Sequence, residues 1–274
     1  MTPRLELIHQ PASGEARQAP PLLFLHGAFC GAWAWQPHFL PWFASQGYDC
    51  WALSLEGHGQ SEGRHYLAAV SIEDYRKNLA SAIRQIRQQP VVIAHSMGGF
   101  VLQQYLRHSP LPGAVLLASV PPAGLAGSSL RLLSNAPGLF IKLNLYQHGQ
   151  YNPDYDELRA LLFSPSTPDE DIEWLIRHSQ QESQRALIDM TLVNPLAIGR
   201  PLPTPALVLG GAGDQLIHAD DVVATAGHFG VSAEILPDTG HMLMLDTKWR
   251  QCAERIAAWL TLLPQVRSAD GTTD

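Results

Sequence analysis

Ser96 lies in the segment Val91-Val-Ile-Ala-His-Ser-Met-Gly-Gly99, where an apolar run leads into a serine among small residues. The apolar run predicts a buried strand, and the apolar spacing after Gly99 predicts a helix. A serine in a strained turn between a strand and a helix presents its hydroxyl above the sheet, beside the helix N–H groups. The segment therefore predicts a nucleophile elbow with Ser96 as the nucleophile. Ala94 stands where the usual pattern has its first glycine and keeps the requirement for a small residue.

A serine hydroxyl becomes a good nucleophile only when a base takes its proton and a third group orients that base. Asp214 ends the segment Leu207-Val-Leu-Gly-Gly-Ala-Gly-Asp, just past an apolar run that predicts another buried strand. His241 follows 27 residues later, which leaves room for one helix and one short strand. Position relative to Asp214 selects His241 as the base among the 12 histidines. Asp238 is the alternative acid, although its loop placement suits a turn better.

The oxyanion of an acyl-transfer intermediate needs hydrogen-bond donors. The N–H of Met97, next to the nucleophile, is one candidate. The second is expected in the loop after an early strand, and the segment Leu23-Phe-Leu-His-Gly-Ala-Phe29 has this form. Ala28 N–H is the preferred donor there and Phe29 N–H the second choice. His26 is predicted to brace this loop, and His58 is predicted to be a turn residue.

These residues need a scaffold of strands and helices. Short apolar runs at 22–25, 91–94, 114–118 and 206–210 are bounded by Gly, Pro or polar residues, as is typical of buried parallel strands. Helices are predicted between them, one beginning with the capping box Ser71-Ile-Glu-Asp74 and another spanning about 246–263. Strands that alternate with helices predict an α/β fold, a mostly parallel sheet covered by helices on both faces.

The interval between Ser119 and Ala206 is far longer than the roughly 30 residues of a strand-helix-strand unit. It has helical periodicity of its own, with a predicted capping box at Thr167-Pro-Asp-Glu170. We predict one domain, with its core at 1–120 and 196–267, a helical cap inserted at about 121–195, and a loose tail at 268–274. Residues predicted to line a substrate pocket, or alternatively only to pack the fold, are Phe29, His95, Phe140, Leu143, Phe163, Trp174 and Met242.

Composition excludes several classes of protein. The formal net charge is −7, and the 18 Lys and Arg residues form no basic stripe, so neither nucleic acid nor an anionic membrane surface is an expected partner. The three cysteines, Cys30, Cys50 and Cys252, are too far apart to predict a disulfide framework or a metal site. The N-terminus lacks the pattern of a signal peptide, and no apolar run has the length of a membrane span. A cytoplasmic setting is therefore expected, with no metal.

Five motifs in order resemble those of the α/β-hydrolase fold superfamily, and in particular its esterase- and lipase-like serine hydrolases. They are His26-Gly27, Gly57-His-Gly-Gln-Ser61, Ala94-His-Ser-Met-Gly-Gly99, Gly213-Asp214 and Gly240-His241. The resemblance implies a sheet of about eight strands, an acyl-enzyme mechanism without a cofactor, and a cap that shapes specificity.

The same resemblance separates this chain from some relatives. Haloalkane dehalogenases and epoxide hydrolases have an aspartate where this chain has Ser96. The segment His26-Gly-Ala-Phe-Cys-Gly-Ala-Trp-Ala-Trp35 is similar to that of plant methylesterases and hydroxynitrile lyases. The lyases have a lysine after the catalytic histidine, whereas this chain has Met242, which disfavours lyase chemistry.

Three functional hypotheses follow. The preferred one is hydrolysis of a small-molecule carboxylic ester, thioester or lactone by Ser96, His241 and Asp214. The second uses the same three residues for C–C bond cleavage or acyl transfer, because the reaction class depends on what the cap admits. The third is a ligand-binding protein on a hydrolase scaffold, which the complete set of catalytic residue types disfavours. The oligomeric state is left open.

Overall fold

The computed structural model describes residues 3–13, 15–138, 141–142, 145, 150–192 and 199–264. These residues form a seven-stranded sheet in the order β1-β3-β2-β4-β5-β6-β7. Only the pairing of β1 with β3 is antiparallel; the other neighbouring pairs are parallel. The strands are β1 (Leu7–Gln10), β2 (Leu22–Leu25), β3 (Cys50–Leu53), β4 (Val91–His95), β5 (Ala114–Leu117), β6 (Ala206–Gly211) and β7 (Ala233–Leu236).

The predicted mostly parallel α/β architecture is confirmed, and the described part of the chain has seven strands against the expected eight. The helices, numbered as the structure describes them, are α1 (Phe39–Ser45), α2 (Ile72–Gln85), α3 (Met97–Leu106), α4 (Ala126–Asn135), α5 (Tyr155–Leu162), α6 (Asp169–His178), α7 (Gln184–Thr191), α8 (Ala219–Phe229) and α9 (Trp249–Leu260). Short 3-10 turns cover Ala32–Trp35 and Arg64–Ala69.

Both faces of the sheet are buried, because successive strand residues point to opposite sides. In β2, Leu22 and Phe24 belong to an apolar cluster with residues of α1 and α9. Leu23 and Leu25 belong to a second cluster with residues of α2, α3 and α8. The four central strands β2, β4, β5 and β6 are thus buried runs without alternation, which is why these four were predicted from the sequence.

Helix starts show where local signals hold and where tertiary contacts override them. The capping box of Ser71 and Asp74 forms as predicted and begins α2. The box predicted at Thr167 and Glu170 was wrong: α6 begins at Asp169, after Pro168, without a side-chain capping bond. The Thr167 hydroxyl lies instead 3.1 Å from the Ser164 hydroxyl, so it is not available to the helix.

Helix α9 begins three residues later than predicted. Its expected first residue, Asp246, is fully buried and accepts hydrogen bonds from the backbone N–H groups of Ser164 and Gly240. This carboxylate therefore lies between the loop before α9 and the segment after α5, and the helix starts at Trp249.

The interval between β5 and β6 contains α4, α5, α6 and α7, and β6 then pairs directly with β5. Helix α7 packs near α2, where Asp189 accepts a hydrogen bond from the Ile72 N–H. We use "cap" for the segment predicted at 121–195. Its predicted end and the predicted tail at 268–274 lie outside the described residues.

Candidate active site

Ser96 occupies the turn between β4 and α3 with a φ of 51°, a left-handed conformation that non-glycine residues rarely adopt. The turn is tightly enclosed. A Cβ on Gly98 would clash with the carbonyl oxygen of His26, and one on Gly99 would lie 2.6 Å from the Ser119 Cβ. The small residues after the serine are therefore required for α3 to approach the neighbouring strand ends.

Asp214 follows β6, and its carboxylate is buried. Oδ1 accepts hydrogen bonds from the N–H groups of Leu216 at 2.8 Å and Ile217 at 2.9 Å. These two bonds fix the carboxylate so that its other oxygen faces the loop after β7.

His241 lies in that loop and joins the other two predicted residues. Its Nδ1 is 2.7 Å from Asp214 Oδ2, and its Nε2 is 3.1 Å from Ser96 Oγ. Because an ionised carboxylate only accepts, Nδ1–H donates to Asp214 and Nε2 is left to accept from the serine hydroxyl. The structure thus brings the three side chains, far apart in sequence, into one chain of hydrogen bonds.

The loop that carries His241 is packed without spare room. A Cβ on Gly211, at the end of β6, would clash with the Gly240 carbonyl oxygen. A Cβ on Gly240 would lie 2.5 Å from the Phe163 carbonyl carbon. Met242 N–H donates to the Leu162 carbonyl oxygen at 2.9 Å. The strand end, this loop and the cap segment therefore stack directly on one another.

His95 precedes Ser96 in the chain and contacts the loop after β7 that carries His241, which we call the histidine loop. Its Nε2–H donates to the His241 carbonyl oxygen at 2.9 Å, and the two rings are 4.7 Å apart. Burial, together with the nearby His241, holds the pKa of His95 well below 6.5. His95 is therefore neutral and acts as a fixed hydrogen-bond donor to the loop.

The loop after β2 (27–30), which we call the oxyanion loop after its predicted role, borders the cavity that contains Ser96. Ala28 and Met97, the predicted oxyanion donors, both line the cavity that contains Ser96. The Phe29 N–H donates to Glu182 Oε2 at 3.2 Å. Cys30 also lines the cavity, but burial and Glu182 raise the pKa of its thiol to about 12, so it is not a thiolate at neutral pH.

His26 and His58 lie behind the oxyanion loop. His26 Nε2 accepts from the Leu55 N–H at 3.0 Å, and its Nδ1 is 2.8 Å from the Gly27 carbonyl oxygen. Burial, with His58 nearby, lowers the pKa of His26 to about 3, so the ring is neutral. His58, predicted as a turn residue, also bonds to the buried Glu182 carboxylate at 3.0 Å.

The cavity at Ser96 has a volume of about 550 Å³. Of the predicted pocket residues, the structure places Phe29, His95 and Met242 in its lining. Phe163 is buried in the core instead, and the Trp174 ring packs against the His178 ring in a tilted arrangement at a centroid distance of 4.0 Å. Phe140 and Leu143 lie outside the described residues. Asp238 lies in a turn with a φ of 52°, away from the hydrogen-bond chain that Asp214 completes.

Much of the remaining lining consists of apolar side chains of the cap and of the loop after Asp214. Those that the sequence did not single out include Leu125, Leu132, Leu158, Leu175, Met190 and Ile217. One part of the lining is polar: Lys142 and Tyr151 both bond to the Glu157 carboxylate there. The apolar spacing of the cap helices was the sequence signal for these walls.

Two buried carboxylates near the site, Glu182 and Asp246, were missed as functional candidates. Each is isolated among unrelated residues in the sequence, so nothing local marks it. Within the described ranges, no group of three or more His, Cys, Asp or Glu side chains could hold a metal ion. In the same part of the chain, no helix is long and apolar enough to cross a membrane.

The fold and the hydrogen-bonded Ser96–His241–Asp214 chain define an α/β-hydrolase architecture. Comparison with protein families agrees, because the model of the alpha/beta hydrolase family matches residues 22–256. The chain belongs to this family, and membership supports hydrolase activity.

The individual relatives found by sequence and structure comparison share less than 30% identity with this chain. BpoC of Mycobacterium tuberculosis, provisionally named a non-heme bromoperoxidase, is 27% identical over 239 residues, 81% of this chain and 87% of BpoC. Its crystal structure matches 96% of this chain and 98% of its own with a TM-score of 0.76. A thermophilic esterase from Thermogutta terrifontis matches 94% of both chains at 19% identity and a TM-score of 0.67. The 2-hydroxy-6-oxo-6-phenylhexa-2,4-dienoate hydrolase of Rhodococcus sp. RHA1 matches 93% of this chain and 99% of its own at 20% identity and a TM-score of 0.63.

Proposed function

We propose that this α/β hydrolase is a serine esterase that cleaves carboxylic esters, thioesters or lactones through an acyl-enzyme on Ser96. The observation that carries the proposal is the relay in which His241 bonds at once to Ser96 Oγ at 3.1 Å and to Asp214 Oδ2 at 2.7 Å. Nucleophile, base and orienting acid are the minimum set for acyl transfer through serine.

In the acylation step, His241 Nε2 takes the hydroxyl proton as Ser96 Oγ bonds to the substrate carbonyl carbon. The carbonyl electron pair moves to oxygen, and the N–H groups of Ala28 and Met97 would donate hydrogen bonds to the resulting oxyanion. When the intermediate collapses, the bond to the leaving oxygen or sulfur breaks, and the protonated His241 donates its proton to that atom. Asp214 stabilises the imidazolium throughout and does not take the proton itself.

Deacylation repeats these steps with water. His241 removes a proton from water as the water oxygen attacks the acyl carbon, and the proton returns to Ser96 Oγ when the acid leaves. No external cofactor is needed, because all proton transfers use His241.

The cavity supports a preference for substrates with an apolar acyl or aromatic group. Its volume of about 550 Å³ lies within the usual range of small-molecule sites, and cap side chains such as Leu158 and Leu175 provide apolar walls. A reducing, cytoplasmic setting fits the three unpaired cysteines, Cys30, Cys50 and Cys252, all of which are buried.

The first test measures hydrolysis of p-nitrophenyl esters, from acetate to laurate, by the wild type and by Ser96→Ala. We expect the wild type to hydrolyse these esters, with kcat/KM higher for a longer acyl chain than for acetate. In the variant, kcat should fall on the order of 10⁴- to 10⁶-fold. Labelling by a fluorophosphonate probe should occur in the wild type and not in Ser96→Ala. Near-parental turnover by a folded Ser96→Ala would refute the proposal.

The same relay could serve acyl transfer or C–C bond hydrolysis, so the products need identification. Adding an alcohol acceptor to the ester assay separates the reactions, because transfer yields a new ester and hydrolysis yields the acid. A new ester as the main product at low alcohol concentration would assign the chain to acyl transfer.

A further inference from the structure

The cap segment between α6 and α7 holds the oxyanion loop through the backbone of Phe29. The Gln180 N–H donates to the Phe29 carbonyl oxygen at 3.0 Å, and the Phe29 N–H donates to Glu182 Oε2 at 3.2 Å. Phe29 has a φ of 64°, a conformation that persists in a non-glycine residue only when its surroundings enforce it. Two cap residues on the two backbone groups of Phe29 supply that enforcement.

The Glu182 carboxylate is buried and receives four hydrogen bonds. Oε2 accepts from Phe29 N–H and from His58 Nε2 at 3.0 Å, and Oε1 accepts from the Tyr75 hydroxyl and the Ser183 N–H, each at 2.7 Å. Burial alone would raise the pKa of Glu182, but His58, Tyr75 and Ser183 together hold it below its usual value. Its lone pairs are thus fully used, and its position is fixed from four directions.

His58 is the ring partner of this carboxylate. Its Nδ1 is 3.1 Å from the Glu56 carbonyl oxygen and its Nε2 is 3.0 Å from Glu182 Oε2, so both ring nitrogens face acceptors. Without such partners, a carboxylate behind the oxyanion loop would oppose the negative charge that develops in acyl transfer.

We propose that Glu182 is a positioning residue that completes the oxyanion hole when the cap is docked. By fixing the peptide between Ala28 and Phe29, it restrains the adjoining Ala28 N–H; Ala28 lines the cavity that contains Ser96. The same bond takes the Phe29 N–H out of the set of oxyanion donors. The inference rests on the proposed function and adds a cap residue to it.

The test compares the wild type with Glu182→Gln, whose amide keeps the shape but offers fewer acceptor sites and no charge. With p-nitrophenyl butyrate, we expect kcat to fall about 10- to 100-fold and KM to stay within about threefold. Phenylboronic acid forms a tetrahedral adduct on the serine, whereas benzoate stays planar. The affinity for phenylboronic acid should fall by the same factor as kcat/KM, and the affinity for benzoate should not change.

The matched control is Asp189→Asn. Asp189 is also a cap carboxylate that accepts from a core backbone N–H, that of Ile72 at 3.1 Å, but it is not bonded to the oxyanion loop. Its kcat and phenylboronic acid affinity should stay within twofold of the wild type. This control separates the orientation of the oxyanion loop from a general loosening of the cap.

A folded Glu182→Gln with parental kcat would overturn the proposal, as would a lower kcat with unchanged phenylboronic acid affinity. If Glu182→Gln does not fold, Glu182→Asp keeps the charge beside His58 and withdraws it from Phe29. It should lose kcat at least about fivefold with the same inhibitor pattern, and parental kcat would again overturn the proposal. A wild type that neither turns over esters nor reacts with the fluorophosphonate would instead refute the proposed function itself.

Discussion

Two loops border the cavity, the one that carries His241 (the base side) and the one that carries Ala28 and Phe29 (the oxyanion side). A buried carboxylate holds each loop by accepting a hydrogen bond from its backbone. On the base side, Asp246 belongs to the core and accepts from the Gly240 N–H of the histidine loop and from Ser164 of the cap. On the oxyanion side, Glu182 belongs to the cap and accepts from Phe29 of the core. Each carboxylate joins cap and core next to a functional loop, so docking of the cap and geometry of the site are linked on both sides.

The two carboxylates differ in their partners. Asp246 accepts from three backbone N–H groups and a hydroxyl, all neutral. Glu182 is bonded to the His58 ring in addition to its other donors. Under the proposed function, a carboxylate near an imidazolium stabilises it, whereas one near an oxyanion opposes the charge that develops there. The comparison teaches that the two junctions use different donors for the same purpose: a histidine ring is among the partners of Glu182, whereas Asp246 is held by backbone N–H groups and a hydroxyl.

The largest expected effect concerns Asp214, whose carboxylate is bonded to His241 Nδ1. In Asp214→Asn, the amide can donate to His241 Nδ1 and favour the tautomer whose Nε2 carries a proton and cannot accept from Ser96. We expect kcat for p-nitrophenyl butyrate to fall on the order of 10⁴-fold near neutral pH, with little change in KM. Steady-state kinetics on the folded variant check this. If kcat falls less than about tenfold, Asp214 is not the residue that orients His241.

The next effect is on stability. Asp246→Ala leaves the buried N–H groups of Ser164 and Gly240 and the Ser164 hydroxyl without their acceptor. We expect the free energy of unfolding to fall by about 3–5 kcal/mol, measured by urea denaturation. Asp156→Ala removes an exposed carboxylate of the cap and should change it by less than about 0.5 kcal/mol. A small loss in Asp246→Ala would show that the base side does not depend on this junction.

The smallest effect appears as a pH dependence on the oxyanion side. The pKa of His26 is about 3 in the folded protein against 6.5 for an ordinary histidine, so between these values the unfolded chain binds more protons. The contribution of this neutral ring to stability is complete above pH 6.5 and decreases as the pH falls below it. From pH 7 to pH 5, wild type should lose about 2 kcal/mol relative to His26→Gln in urea denaturation. Parallel pH profiles for the two proteins would contradict a neutral His26.

The sequence predicted the sheet and the meeting of Ser96, Asp214 and His241 because these features have local signatures. Buried parallel strands are continuous apolar runs. Ser96 and Asp214 come shortly after such runs, and His241 follows a turn later in the chain. Since the carboxyl ends of parallel strands meet at one edge of the sheet, residues placed there must come together.

The sequence did not reveal the contacts of Glu182 and Asp246 or which cap side chains line the cavity, because these depend on how the cap docks. Glu182 is 153 residues from Phe29 in the chain, and no pattern around it predicts a partner at that distance. Phe163 and Trp174 have the right residue types for a pocket. Apolar residues of the cap, however, can face either the core or the cavity, and residue type alone does not distinguish the two. The capping box at Thr167 failed for the same reason, since a tertiary contact with Ser164 took its hydroxyl.

The direct stacking of Gly211, Gly240 and the Phe163 backbone has a consequence for engineering. Saturation libraries at positions 211 and 240 should return almost only the parental glycine, although neither residue touches the cavity. Substrate specificity can therefore be altered by substituting the cap leucines that line the cavity, such as Leu158 and Leu175. The glycines at 211 and 240 must be kept, because they set the spacing between the end of β6 and the histidine loop.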